Sequence, residues 1–364
     1  MISDITIIGG GVIGLLTARE CLLAGAKVTV IEKNQLGHES SWAGGGILLP
    51  LYPWRQAEAI STLVIQSLRL YPELAAELLA ESGIDPEWNP CGMLITKNPD
   101  INAATAWCAK NNIPYESAGA AFFSQLQTTP EHPLWLPSIA QARNPRLVKS
   151  LKQYLINKGM VFHEHCQISD VMTSNNRITA INTSAGQLPV NQLMLSAGAW
   201  TGDLFKQLFA EFAETAPKVV PVKGQMLLFE ATPQTLKHMV LDEDRYLIPR
   251  LDGKILAGST VESNAFNKDI TDIAKQQLGD FAMNLLPALK NYPVINHWAG
   301  IRPGTELGIP YIDRHPTLTN LFINAGHFRN GLAMGPASAQ LMADLLFNRS
   351  PSVSAKAYSL FSSH

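Results

Sequence analysis

Residues Asp4 to Glu32 read DITIIGGGVIGLLTARECLLAGAKVTVIE, and the fold is decided there. The apolar run Ile5 to Ile8 has the length and β-branching of a buried strand. It enters Gly9-Gly10-Gly11-Val12-Ile13-Gly14, which satisfies G-x-G-x-x-G at Gly9, Gly11 and Gly14. Val12, Leu15, Leu16, Cys21, Leu22 and Leu23 follow in an amphipathic pattern, and Gly25 is placed to end that helix. A second apolar strand, Lys27 to Ile31, finishes on Glu32. In this strand–turn–helix–strand context the glycines serve a tight turn, close approach of backbone to a pyrophosphate, and close packing of helix on sheet. Glu32 stands where an acid accepts hydrogen bonds from an adenosine ribose. The acid favours an unphosphorylated ribose, FAD or NAD over NADP, and the unit alone does not choose between those two.

A chain of 364 residues with 46% hydrophobic content can bury a large core and is long for one domain, so two are expected. A net charge of −2 without a long basic run argues against nucleic acid as a partner. The first strand begins at Ile5, which leaves no room for a signal peptide, and no apolar run reaches the roughly 18 residues of a spanning helix. Cys21, Cys91, Cys108 and Cys166 lie far apart without a C-x-x-C pair. They read as reduced thiols of a cytoplasmic protein, not as a disulfide framework or a zinc site. The nine histidines form no ligand cluster, so no metal is expected.

Residues 36–55, LGHESSWAGGGILLPLYPWR, set three glycines beside Ser40 and Ser41. Such a stretch lets backbone N–H groups approach a ligand. It can also be an ordinary loop, but Trp42 and Ile47-Leu48-Leu49 are too apolar for a simply solvated one. A helix is expected from Ile60 to Leu79, with Ser82-Gly83 at its end, then a short strand at Met93 to Ile95. Residues 98–143 are polar and proline-rich, with a helix near Ile101 to Lys110, and read as an insertion away from the nucleotide core. Leu147 to Lys158 is helical and Met160 to His163 extended. Ile168 to Thr173 and Arg177 to Thr183 alternate like a hairpin around Asn175-Asn176. Gln192 to Ser196 is a buried strand that runs into Ala197-Gly198-Ala199-Trp200 and returns the chain to the nucleotide domain. Val219 to Phe229, Tyr246 to Pro249 and Lys254 to Ser259 suggest a separate antiparallel sheet. A helix at Asp269 to Leu286, the stretch Trp298 to Thr305, a strand at Leu321 to Asn324, the loop Ala325 to Gly331 and a last helix from about Pro336 to Phe347 complete the chain.

Several segments form an ordered series: IIGGGVIGLLTA from Ile7, the ESSWAGGGI stretch from Glu39, ARNPRLVKSL from Ala142, LSAGAWTGDL from Leu195, PVKGQM from Pro221, RYLIPR from Arg245, HWAGIRPGT from His297 and GHFRNGL from Gly326. The series runs nearly end to end and resembles the FAD-dependent D-amino-acid oxidase superfamily, and more narrowly its bacterial glycine oxidases, flavoenzymes of thiamine biosynthesis. The resemblance implies an α/β fold: an FAD-binding Rossmann-like domain of glutathione-reductase type with an inserted, mainly antiparallel-sheet substrate domain. Residues 1–85, 144–215 and 300–364 would form the first and residues 86–143 and 216–299 the second. It implies FAD contacts from Gly9, Gly11, Val12, Ile13 and Gly14 at the pyrophosphate and Glu32 at the ribose. Ser40, Ser41, Gly45, Gly46, Ile47 and Leu48 would follow along the ribityl chain. Ile168 backbone would hold adenine, and Ala197, Gly198 and Trp200 would pass the cofactor. Arg302, His327, Phe328, Arg329, Asn330, Gly331 and Leu332 would border the isoalloxazine. Substrate contacts fall on Tyr246 and Arg302, which would bind a carboxylate, and on Arg329 at the border of the site.

The residues themselves bear on these assignments. Arg302, before Pro303-Gly304 and after an apolar stretch, is poorly explained as a solvated arginine, and its planar fork suits a carboxylate. Tyr246 among apolar neighbours reads from the residues alone as a core aromatic with a satisfied hydroxyl, and its substrate role is what the resemblance implies. His327 reads as a buried hydrogen-bonding histidine, and no side chain is assigned as acid, base or nucleophile. The resemblance implies oxidative deamination of glycine, sarcosine or small D-amino acids. Cα–H passes as hydride to flavin N5, O₂ is reduced to H₂O₂, and the imine gives glyoxylate or another oxo acid plus ammonia, or goes to a thiazole synthase. A D-amino-acid dehydrogenase, a sarcosine or D-proline oxidase, and a non-enzymatic flavin module of RNA modification or assembly are the alternatives. FAD is expected to be noncovalent, because no cysteine follows Cys166. By resemblance the protein is a homotetramer without membrane association.

Overall fold

In the computed structural model, which describes residues 3–263 and 266–362, the opening stretch forms as read. Ile5–Ile8 and Val28–Ile31 are fully buried strands paired in parallel, Ile5 opposite Val28 and Ile8 opposite Ile31. Burial on both faces explains their unbroken β-branched runs. The helix between them, Val12–Leu23, sits tight on the turn: a side chain at Gly14 would strike the carbonyl of Gly9. Gln192–Leu195 pairs in parallel with the other edge of Ile5–Ile8, and Leu321–Ala325 pairs beyond it. Tyr311–Arg314 and Val161–His163 close a six-stranded sheet, parallel except at the Tyr311–Arg314 edge.

A second sheet of nine strands is mostly antiparallel. Its spine is the long ladder of Val220–Phe229 against Val294–Gly304, in which Val222 faces Arg302 and Gly224 faces Gly300. Met93–Ile95 joins in parallel beside Met239–Asp242, so segments far apart in sequence share this sheet. Residue 300, proposed from sequence as a domain limit, falls inside the Val294–Gly304 strand; Arg302 is therefore carried by the large sheet. Ile168–Ser174 and Arg177–Thr183 form the expected hairpin, with Asn175 and Asn176 both at positive φ. A third strand, Gly186–Pro189, extends it; short and exposed, it lacks the apolar alternation that marks a strand in sequence.

Two expectations need correction. The end of the 98–143 segment does not lie away from the nucleotide core. Ala142 N–H donates to Gly46 O and Leu48 N–H to Ala140 O, because the glycine loop needs backbone partners on one side. The last helix begins at Gly331, not near Pro336, and runs to Leu346. Pro336 cannot donate to the carbonyl of Leu332. The helix survives because Tyr71, on the neighbouring Glu58–Ser82 helix, donates its hydroxyl to that carbonyl at 2.7 Å. Tyr71→Phe strands a buried acceptor and should lower stability by about 1–3 kcal/mol in a chemical unfolding titration. Among the described residues no helix is long and apolar enough to cross a membrane.

Candidate active site

One elongated cleft, with about 380 Å³ of space open to water, runs from the first parallel strands to the large antiparallel sheet. Its volume lies within the range of cofactor and ligand pockets. At one end are Glu32, Lys33, Cys166, Gln167 and Ile168. The Glu32 carboxylate is fixed by N–H groups of Gly10 and Asn34, each at 2.9 Å. Lys33 lies 4.1 Å above the ring of Trp200, which also faces the cleft. Gly9, Gly11, Val12 and Ile13 line the middle, with Ala197 and Gly198 alongside. The Ser40 hydroxyl donates to Ile301 O, and Ser41 Oγ accepts from Val12 N–H at 2.8 Å. These two serines tie the loop to the substrate strand and to the first helix. Of the residues assigned by resemblance, only Gly14 and Leu48 do not face the cleft. Gly14 packs against Gly9, and Leu48 is buried in the hydrophobic core.

At the far end Tyr246, Arg302 and Arg329 come together beside Gly45. Arg302 is paired across the ladder with Val222 and extends diagonally over Gly224, whose missing side chain makes room for the guanidinium, while Ala43 packs over the adjoining Gly300. Nη1 donates to the carbonyls of Lys223 (3.3 Å) and Thr260 (3.2 Å), and Nη2 to Ser259 Oγ (2.9 Å). Arg329 Nη2 reaches the same hydroxyl at 3.4 Å. Among the described residues no carboxylate pairs with either guanidinium; Glu262, the nearest acid acting on Arg302, is bound by Lys223, Gln225 and Thr260. Burial depresses Arg302 to about 10, with Tyr246 opposing that shift and the charge of Arg329 adding to it. The group remains a cation near neutrality. An enclosed cation whose protein partners are all neutral is poised for an anion.

His327 is buried, with Nε2 2.8 Å from Ser338 Oγ, and burial pushes its imidazole down to about 3. It stays neutral at working pH and supplies no acid, in accord with its reading from sequence. Its neighbours Phe328, Arg329, Asn330, Gly331 and Leu332 line the cleft at the N-terminal end of the Gly331–Leu346 helix. The favourable end of that helix dipole therefore faces any negative charge developed there.

Asn144, Gly224, Ser259 and Arg250 escaped the sequence reading as site residues. Asn144 lies inside ARNPRL and Gly224 inside PVKGQM, so the motifs marked the segments without revealing the contacts. Asn144 Nδ2 donates to Ser41 O, and its buried Oδ1 has no protein partner while facing the cleft wall. Gly46, at φ +85, could carry no side chain: its Cβ would lie 1.9 Å from Ala142 O.

A parallel sheet with a glycine turn, a cleft starting at that turn, and an unneutralised arginine at the far end are the features of a dinucleotide-dependent enzyme acting on a small anionic substrate. The chain belongs to the FAD dependent oxidoreductase family, whose model matches residues 4–345. It is 41% identical to the glycine oxidase of Pseudomonas aeruginosa over 98% of both chains. The crystal structure of glycine oxidase from Geobacillus kaustophilus superposes with a TM-score of 0.91 at 25% identity, covering 98% of each chain. A bifunctional ThiO/ThiG protein of Synechocystis is 29% identical over 98% of this chain and 53% of its own length. The likeness read from the ordered motifs is thus borne out, and the cofactor is FAD. The residues fit that group. The N–H of Gly46 has no acceptor among the described residues, the buried Asn144 Oδ1 is unpartnered, and the Glu32 carboxylate is held in place at one end of the cleft, where it would meet a ribose.

Proposed function

We propose that this enzyme oxidises glycine and closely related small amines, sarcosine and small D-amino acids among them, to an oxo acid and ammonia, or methylamine in the case of sarcosine. The observation that carries this reading is the Arg302 guanidinium, half-buried in the cleft wall with only neutral hydrogen-bond partners. Its fork would take the substrate carboxylate, and Tyr246 would hold the same group from the other side. FAD held in this cleft would supply the two-electron acceptor for the substrate's Cα–H hydride, with O₂ as the final oxidant. The protein contributes orientation: Arg302 fixes one end of a small molecule whose reacting carbon must then lie against the cofactor. No side chain is asked to abstract a proton, consistent with a neutral His327 that is the one histidine lining the cleft among the described residues.

Residues 1–85, 144–215 and 300–364 would bind FAD, with residues 86–143 and 216–299 meeting the amine. The relative named ThiO/ThiG supports delivery of the product imine to a thiazole synthase, and we expect a homotetramer. The four unpaired cysteines fit a cytoplasmic location. The test is H₂O₂ production with glycine, sarcosine, D-alanine, D-proline and L-alanine. Peroxide from glycine and the small amines, and none from L-alanine, is expected. Substrate that bleaches the flavin anaerobically without rapid O₂ consumption afterwards would make the enzyme a dehydrogenase.

A further inference from the structure

Arg250 is buried behind the glycine loop and is no part of the cleft wall. Its Nη2 donates to the carbonyl of Gly45 at 2.8 Å, and its Nη1 to Gln141 Oε1 at 2.5 Å and more distantly to Ala142 O. Gln141 is itself fixed through Nε2, which donates to Pro249 O and Cys91 Sγ. The acids nearest to this guanidinium are already engaged: Glu87 pairs with Arg143 and Arg146, and Asp252 with Arg143 and Lys254. Among the described residues, Arg250 is thus a buried cation whose hydrogen-bond partners are all neutral. Burial, followed by the charge of Arg143, draws its pKa down to about 10, which leaves it protonated at neutral pH. Such a group is costly to bury, and a core of this size could have held an apolar residue there.

The peptide between Gly45 and Gly46 gives the charge a purpose. A trans peptide is planar, and its N–H points opposite to its C=O. With the Gly45 carbonyl drawn towards Arg250, the N–H of Gly46 is turned to the other side of the loop, and it has no acceptor among the described residues. Both glycines line the cleft, Gly45 next to Tyr246 and Gly46 next to Asn144. Hydrogen bonding of the carbonyl to a cation also polarises the peptide and strengthens its N–H as a donor.

We propose that Arg250 is a positioning residue for the cofactor: it orients and polarises the Gly45–Gly46 peptide so that the Gly46 N–H is presented to the flavin, and its charge favours the reduced flavin from behind the loop. The proposal rests on the FAD assignment and not on which amine is oxidised. It links the cofactor loop to the Arg245–Pro249 strand, which carries Tyr246 and ends next to Arg250.

The test compares wild-type holoenzyme with Arg250→Met and Arg250→Lys. The readouts are the FAD dissociation constant by fluorescence titration of apoprotein, and the flavin midpoint potential. Arg250→Met should bind FAD at least tenfold more weakly, with a more negative potential. Arg250→Lys keeps the charge but cannot bridge Gly45 O and Gln141 Oε1 with one fork. Its FAD affinity should fall severalfold while its potential stays near wild type. A Met variant that melts earlier yet keeps the wild-type affinity and potential would make Arg250 a purely structural ion. Should the Met variant not fold, a Lys variant with wild-type FAD affinity would overturn the proposal by itself. Tight FAD binding by wild type is the control, so neither result depends on turnover of glycine.

Discussion

Arg302→Leu is expected to purify yellow, with FAD in place, and to oxidise glycine several powers of ten more slowly in kcat/KM. The cofactor is expected to survive because the cleft proposed to hold it is lined from Glu32 to Leu332, and Arg302 is one residue of that lining. The activity is expected to fail for two reasons that multiply. Removing one partner of a desolvated, hydrogen-bonded charge pair costs about 2–5 kcal/mol of binding. A glycine molecule without its anchor also loses its alignment, and a misplacement of about 1 Å can cost ~10² in rate. Steady-state kinetics by oxygen electrode, with flavin content from the absorption spectrum, separates the two effects. Carboxylate inhibitors should weaken in parallel. A Leu variant with near-normal turnover would remove Arg302 from the substrate site and with it the argument for an amino-acid substrate.

The contrast between Arg302 and the residues that hold it shows what a sequence can reveal. The nucleotide half was legible because its signals are local. Two β-branched runs, a glycine turn and a terminal acid lie within Asp4–Glu32, and each is satisfied by its near neighbours. Arg302 stood out because an arginine before Pro-Gly in apolar surroundings is poorly explained as a solvated one, and the resemblance of its motif turned that oddity into a substrate contact. Nothing local distinguishes Ser259 or Arg250. Ser259 matters because its hydroxyl receives both Arg302 and Arg329, and Arg250 because it grips Gly45. Those pairings arise only when the antiparallel sheet has closed on the glycine loop. The beginning of the last helix was misread for a similar reason. Pro336 is a helix breaker by local rules, and the hydroxyl of Tyr71 that compensates for it comes from a different helix.

Gly224→Ala should abolish most activity while leaving the protein folded and flavinated. In the present structure a Cβ at Gly224 would lie 2.1 Å from Nη2, 2.3 Å from Nη1 and 2.4 Å from Cζ of Arg302. Gly224 is not among the glycines at positive φ, so alanine is not strained there by its backbone. What must yield is the tip of a long flexible side chain. That displacement is cheap for stability and severe for function. The guanidinium would leave the carbonyls of Lys223 and Thr260 and the hydroxyl of Ser259, and with them the position in which its fork meets a carboxylate. A shift of this size should lower kcat/KM for glycine by about 10² or more, with little change in melting temperature or FAD content. A double-mutant cycle gives the decisive reading. If Gly224 acts only through Arg302, Gly224→Ala placed on Arg302→Leu should cost almost nothing further. Additive losses would mean that Gly224 serves the site in some way other than by making room for Arg302.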